Sequence, residues 1–167
     1  QLYGNATEYS DYDFIVVGEG DEAALKQFLI EQVKSDCDIH VYAREAFLDE
    51  LKLHRLPMLE CIFQKPLYST LDFSDFVVNK TLLREDIGAR CSNSWVKGKK
   101  KLKPSAPNHD PYRARKSLWH SLRMCMFGIQ IAKFGKIIDF SEANEYFARF
   151  MAAELEDLKG LEELLKY

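Results

Sequence analysis

The residues best suited to chemistry are two aspartates, Asp11 and Asp13, which stand directly before the apolar run Phe14 to Val17. Such a run is typical of a buried strand, and on a strand the side chains of residues i and i+2 lie on the same face. Two neighbouring carboxylates repel each other unless a cation or protons compensate their charge. The pair therefore predicts a divalent-cation site at the start of a strand, and oxygen ligands favour Mg²⁺ or Mn²⁺ over zinc. A solvated edge or turn is the alternative interpretation.

The segment around these aspartates, Gly4 to Phe14, resembles the signature of the DNA polymerase β-type nucleotidyltransferase superfamily. That signature consists of a Gly-Ser pair, a short loop with a second glycine, and Ser-Asp-x-Asp before a hydrophobic strand. Aligned on Ser10 to Asp13, Gly4 takes the place of the second glycine, and the Gly-Ser pair would precede Gln1. In the superfamily this pair opens a helix whose backbone amides hold the nucleotide's phosphates. We therefore expect a nucleotidyltransferase core that is truncated at its N-terminus.

The resemblance implies a third carboxylate on a neighbouring strand, between hydrophobic residues. Asp38 fits this place, because Cys37 to Tyr42 alternates in the manner of a strand and puts Asp38 and His40 on one face. Apolar residues at helical spacing over Asp21 to Lys34 predict a helix between the two strands.

Glu60 is the rival third acid, because it also has apolar neighbours in Leu59 to Phe63. It follows a further predicted helix, Arg44 to His54, whereas Asp38 comes directly after the first crossover, as the third acid of the superfamily commonly does. We prefer Asp38 for this reason.

The resemblance also implies a reaction, in which a nucleoside monophosphate passes from a nucleoside triphosphate (NTP) to an acceptor hydroxyl. Asp11, Asp13 and Asp38 would hold two Mg²⁺ or Mn²⁺ ions, and Asp38 would take the proton of the attacking hydroxyl. Gly4 and Ser10 are the implied nucleotide contacts in this half of the chain. The alternative is a catalytically degenerate nucleotide-binding or interaction module of the same fold.

A second part of the resemblance lies in Lys116 to Met124 and the following Phe134 to Ile137. These look like the Lys-x-x-x-His-x-x-Arg helix and Gly-Lys turn of predicted nucleotidyltransferases in the branch linked to bacterial and phage RNA repair. Lys116, His120 and Arg123 are then implied to bind the nucleotide. From the residues alone, they could equally form the solvated side of a helix.

The composition is that of a folded chain and excludes a generally basic nucleic-acid binder. The 167 residues are 47% hydrophobic and 13% aromatic, which suffices for a core, and the net charge is −3. Four scattered cysteines without metal-ligand spacing indicate reduced thiols, so we expect a cytoplasmic location. No apolar run is long enough for a membrane span, and no membrane partner is expected.

The predicted fold class is α/β (α+β), with a small mixed β-sheet flanked by helices and followed by a helical region. We divide the chain into a nucleotidyltransferase core over residues 1–91, a basic linker over 92–111 and a helical, substrate-side region over 112–167. Lysines and prolines predict that the linker is a loop. Its five lysines between Lys97 and Lys103 could attract an RNA acceptor, although a solvated loop is the simpler interpretation.

Three helices are predicted in the helical region from apolar periodicity. They span Pro111 to Gly135, Asp139 to Phe150 and Leu155 to Tyr167, and Ser141 is the expected N-cap of the second.

Overall fold

The computed structural model describes residues 3–4, 12–32, 37–66, 68–162 and 165. Within these ranges the chain forms two strands, seven α-helices and two short 3₁₀ helices. The strands and α-helices are β1 (Tyr12–Gly18), α1 (Glu22–Gln32), β2 (Cys37–Ala43), α2 (Arg44–Lys52), α3 (Leu56–Phe63), α4 (Lys80–Leu102), α5 (Pro111–Phe134), α6 (Phe147–Met151) and α7 (Leu158–Glu162). The 3₁₀ helices are Glu142–Tyr146 and Leu155–Asp157. The predicted α/β class is confirmed.

The two strands are parallel neighbours joined through α1, as the sequence predicts. Asp21 begins α1 by accepting a hydrogen bond from the Ala24 N–H on its side chain. One face of the sheet lies against this helix, because a Cβ atom on Gly18 would come within 3.0 Å of Leu25 Cδ1. On the other face, Ile15 and Tyr42 pack against the helical core. The sheet is therefore enclosed between α1 and the rest of the protein.

The helices α4 and α5 form a long antiparallel hairpin. They approach each other closely at Gly98, where a Cβ atom would lie 2.8 Å from Leu118 Cδ2 and 2.9 Å from the Ala114 carbonyl oxygen. Asn79 caps α4 and Asp110 caps α5 through their side-chain oxygens. The predicted helix from Pro111 is thus confirmed to within one residue of its end.

The basic linker is predicted wrongly, because α4 continues through residues 92–102 and leaves only 103–110 as a loop. Trp95, Gly98 and Leu102 are buried along this part of the helix, which gives it an apolar side. The lysines occupy the remaining surface, and those in the last turn lie near the negative end of the helix dipole. Since α4 crosses residue 91 without a break, the predicted core and the predicted linker share one continuous helix.

Two further sequence predictions differ from the structure. Leu59 to Phe63 belongs to the helix α3, so Glu60 is not on a strand; Pro57 stands in the first turn of that helix, where proline is well tolerated. The predicted helix from Asp139 to Phe150 is instead a 3₁₀ helix followed by the short α6. Ser141 precedes it, but its hydroxyl donates to Asp139 Oδ1 rather than capping the helix.

The buried side chains form two clusters along the α4–α5 hairpin. The first lies beside the sheet and includes Phe47, Leu59, Ile87 and Phe127. The second lies towards the α4–α5 loop and includes Trp95, Leu118, Trp119, Phe150 and Leu161.

Among the helices described, none is both long and apolar enough to cross a membrane.

Candidate functional site

Asp13 and Asp38 lie opposite each other on the two strands. The register of the parallel pair matches Asp13 with Asp38 and Ile15 with His40. Matched residues of neighbouring parallel strands point to the same face, and the strands are about 4.8 Å apart. Both aspartates are exposed. The structure thus brings together two of the three acids named from the sequence, in positions from which both can reach one ligand.

His40 adds one more polar side chain to the sheet face that carries Asp13 and Asp38, which we call the acidic face. Its Nε2 lies 3.8 Å from Asp38 Oδ2, and both side chains are well exposed, so the ion pair is weak. Within the described ranges, no group of three or more His, Cys, Asp or Glu side chains is gathered closely enough to hold a metal ion. Asp11 and Ser10 lie outside the described residues. Asp13 and Asp38 alone offer the carboxylate oxygens that Mg²⁺ and Mn²⁺ prefer.

The acidic end of this sheet face borders the helical part of the protein. Asp13 alternates with Ile15 and Val17 on β1, and these two apolar side chains pack against the first core cluster. The same strand face is therefore partly buried against the first core cluster at one end and open to solvent at the acids.

Lys116, His120 and Arg123 occupy one side of α5 at spacings of four and three residues. They differ in exposure, since Lys116 is exposed, His120 is half-buried and Arg123 is buried. Arg123 Nη2 lies 2.6 Å from His120 Nδ1. A guanidinium only donates, so Nδ1 accepts and the ring proton of neutral His120 is on Nε2. Burial, with the nearby charges of Arg123, Lys116 and Arg90, lowers the pKa of His120 to about 4.

Arg123 is enclosed by aromatic rings rather than presented to solvent. Its Cζ lies 3.7 Å from the centre of the Tyr3 ring and 5.0 Å from that of Trp119. Its Nε is buried and has no hydrogen-bond partner among the described residues. Burial lowers the pKa of Arg123, and the neighbouring Tyr3 and Glu60 oppose this. The predicted nucleotide contact at Arg123 is therefore covered by Tyr3.

Glu60, the rival third acid, belongs to this buried cluster and not to the sheet. Its Oε2 accepts a hydrogen bond of 2.8 Å from the Tyr3 hydroxyl. Burial raises the pKa of Glu60, while that hydrogen bond and the charges of Arg123 and Arg90 act in the opposite direction. Of the two candidates, only Asp38 faces Asp13 across the described sheet.

Tyr3 and Gly4 lie against the helical part of the chain. The Tyr3 carbonyl oxygen accepts a 2.6 Å hydrogen bond from Asn144 Nδ2. Gly4 has a φ of +70°, and a Cβ atom there would lie 3.5 Å from the same Asn144 nitrogen. No local sequence pattern singles out Tyr3, because its partners Glu60 and Asn144 are 57 and 141 residues away along the chain.

Comparisons of this chain with protein-family profiles, with curated proteins and with solved structures gave no match.

Proposed function

We propose that this protein is a metal-dependent nucleotidyltransferase, which transfers a nucleoside monophosphate from an NTP to an acceptor hydroxyl. The observation that carries the proposal is the register of Asp13 with Asp38 on adjacent parallel strands. It puts two exposed carboxylates on one face, as a site for hard divalent cations requires. The sequence signature adds Asp11 to this set.

The proposed reaction requires metal-binding carboxylates, a proton acceptor and residues that contact the phosphates. Mg²⁺ or Mn²⁺ held by Asp11, Asp13 and Asp38 would neutralise charge on the triphosphate and favour ionisation of the acceptor hydroxyl. The hydroxyl oxygen bonds to the α-phosphorus while the bond to the bridging oxygen breaks, and pyrophosphate leaves with that electron pair. Asp38 takes the hydroxyl proton, directly or through water.

The proposed phosphate contacts on the helical side are Lys116 and His120. Lys116 supplies an exposed positive charge, and neutral His120 supplies an Nε2–H donor because Arg123 occupies its Nδ1. Gly4 and Ser10 remain proposed nucleotide contacts from the signature alone.

The proposed acceptor is RNA, attracted by the basic end of α4 between Lys97 and Lys103. Lys97, Lys100 and Lys103 are exposed there. We place the activity in the cytoplasm, since four scattered cysteines without metal-ligand spacing are typical of proteins in a reducing compartment.

The test is transfer of a labelled nucleotide from each NTP to a short RNA in the presence of Mg²⁺ or Mn²⁺. Asp13→Asn should abolish transfer and leave the protein folded by circular dichroism. Asp38→Asn should lower turnover by roughly 10²–10⁴-fold because it removes the proton acceptor, whereas Glu60→Gln should lower it far less.

The matched control is Asp75→Asn, an exposed aspartate in the segment between α3 and α4. It should transfer at the wild-type rate. Undiminished transfer by Asp13→Asn would refute the proposed site, and NTP binding without any transfer by the wild type would favour the degenerate module.

A further inference from the structure

Two cysteine side chains meet where α4 packs against α5. Cys125 Sγ lies 3.0 Å from Cys91 Sγ, although the two residues are 34 positions apart in the sequence. Cys91 is buried and Cys125 is half-buried, and both are free thiols. The sulfur atoms of a disulfide are about 2.05 Å apart, so this pair needs to close by only about 1 Å to form one.

The two helices lie close together around this pair of cysteines. The Ser121 hydroxyl donates to the Cys91 carbonyl oxygen at 2.8 Å, and the Cys91 thiol donates to the Ser121 carbonyl oxygen at 3.3 Å. A Cβ atom on Gly128 would lie 3.0 Å from Ile87 Cγ2, one turn before Cys91 on α4. Gly98 marks the close approach on the other side. Because small residues bring the helices together on both sides, a disulfide requires little movement of either backbone.

The two thiols differ in how readily they ionise. The hydrogen bond between them lowers the pKa of Cys125, against the opposing effect of burial. The same hydrogen bond, together with burial, raises the pKa of Cys91. The thiolate is the form of cysteine that reacts with oxidants. Cys125, which is also the more exposed of the two, therefore reacts first, and Cys91 is placed to react with the product.

We propose that Cys91 and Cys125 are a redox-active pair, which hydrogen peroxide oxidises to a reversible disulfide that joins α4 to α5. In the reducing compartment proposed for this protein, disulfides are usually transient and either catalytic or redox-sensing. The bond would cross-link the long hairpin on which both core clusters lie. The oxidation uses none of the groups assigned to nucleotidyl transfer.

Peroxide oxidises the pair in two steps. The Cys125 thiolate attacks one peroxide oxygen, the O–O bond breaks, and a sulfenic acid forms on Cys125 with release of hydroxide. The Cys91 thiol then attacks Cys125 Sγ; the S–S bond forms, the S–O bond breaks, and the oxygen leaves as water with the Cys91 proton. The two thiols together lose two electrons and two protons, and peroxide is reduced to two molecules of water. A thiol reductant cleaves the disulfide again.

The test treats the folded full chain with hydrogen peroxide and maps its disulfides by mass spectrometry without reduction. The wild type and the control variant Cys37→Ser/Cys61→Ser should both form the bond between Cys91 and Cys125, and dithiothreitol should restore the thiols. Cys61 is not a competitor, because burial raises its pKa to about 11 and keeps it protonated. In Cys91→Ser, oxidation of Cys125 should stop at the sulfenic acid, which dimedone traps. In Cys125→Ser, the buried Cys91 should stay reduced.

Thermal unfolding gives a second readout of the same cross-link. The oxidised wild type should melt roughly 5–10 °C above the reduced protein, because the bond closes a long loop in the unfolded chain. Dithiothreitol should return the melting temperature to its original value. Cys125→Ser controls for oxidation elsewhere, at the methionines above all, and its melting temperature should not rise after peroxide treatment.

Three results would overturn the proposal. The first is a wild type in which Cys125 accumulates as sulfenic or sulfinic acid and no bond to Cys91 forms. The second is a bond between these cysteines that forms in urea but not in the folded protein, because the hairpin would then not bring the sulfurs together. The third is equal oxidation of Cys91 in Cys125→Ser and in the wild type, which would show that Cys125 is not the thiol that reacts first.

Discussion

Among single residues, Asp86 is the buried carboxylate with the most hydrogen-bond donors described around it. It lies on α4 and accepts from the Leu56 N–H, from Arg55 and from Arg90, at 2.9, 3.0 and 2.6 Å. Burial alone would raise the pKa of Asp86, but these hydrogen bonds outweigh it and hold the pKa below its ordinary value. Asp86 thereby joins α4 to the first turn of α3.

The depressed pKa makes the contribution of Asp86 to stability dependent on pH. Asp86→Asn should lower the free energy of unfolding by about 2–3 kcal/mol near neutral pH. Because the folded state favours the ionised form, this contribution is complete above about pH 4 and is lost as the pH falls further. Urea unfolding of the wild type and of Asp86→Asn between pH 3 and 7 measures this contribution. A difference in unfolding free energy between them that grows on acidification would contradict the depressed pKa of Asp86.

At the same scale, site residues could be predicted where the sequence around them has a regular pattern. Residues without such a pattern were missed. Asp13 and Asp38 could be named because each stands beside an apolar alternating run, and strand periodicity fixes the faces of such residues. The contact between Tyr3 and Glu60 follows no period and bridges distant parts of the chain. The resemblance implied a nucleotide contact at Arg123, and the sequence did not show that this side chain is buried.

At the scale of elements, α4 shows why a charged segment can be a helix. Its polar composition predicted a loop, yet buried Trp95, Gly98 and Leu102 lie along one side of it. The spacing of three and four residues between these positions is helical, but five nearby lysines and a glycine hid the signal. By contrast, α1, α2 and α5 could be predicted because their apolar residues repeat at helical spacing.

Two glycines of α4 give a matched test of the hairpin. Gly98→Ala should destabilise the protein by about 1–3 kcal/mol, because the new methyl group would overlap Leu118 and the Ala114 carbonyl oxygen. Gly88→Ala, with nothing within 4 Å of the new atom, should stabilise it by about 0.5–1 kcal/mol through helix propensity. Thermal unfolding of both variants and of the wild type measures these changes in stability. A gain in stability with Gly98→Ala would show that the two helices are not in close contact there.

At the scale of the whole molecule, the basic end of α4 should govern binding of an RNA acceptor. Replacing Lys97, Lys100 and Lys103 together by glutamine should reduce the slope of log binding constant against log salt concentration by about 2 units. Each phosphate contact on a single strand contributes roughly 0.7 to this slope. The control replaces three exposed lysines elsewhere, Lys133, Lys136 and Lys159. Titrations of a short single-stranded RNA at several salt concentrations give the slopes. Equal slopes for both triple variants would reject this surface as the RNA contact.

The proposed cation site at Asp13 and Asp38 is tested most directly by a Mn²⁺ titration followed by electron paramagnetic resonance, since this measurement needs neither acceptor nor turnover. Wild-type protein and Asp75→Asn should bind Mn²⁺ with the same affinity. Asp13→Asn and Asp38→Asn should each weaken binding by more than about 10-fold, and the two losses in binding free energy should not add in the double variant, because both carboxylates serve one site. Unchanged Mn²⁺ affinity in either single variant would contradict the site.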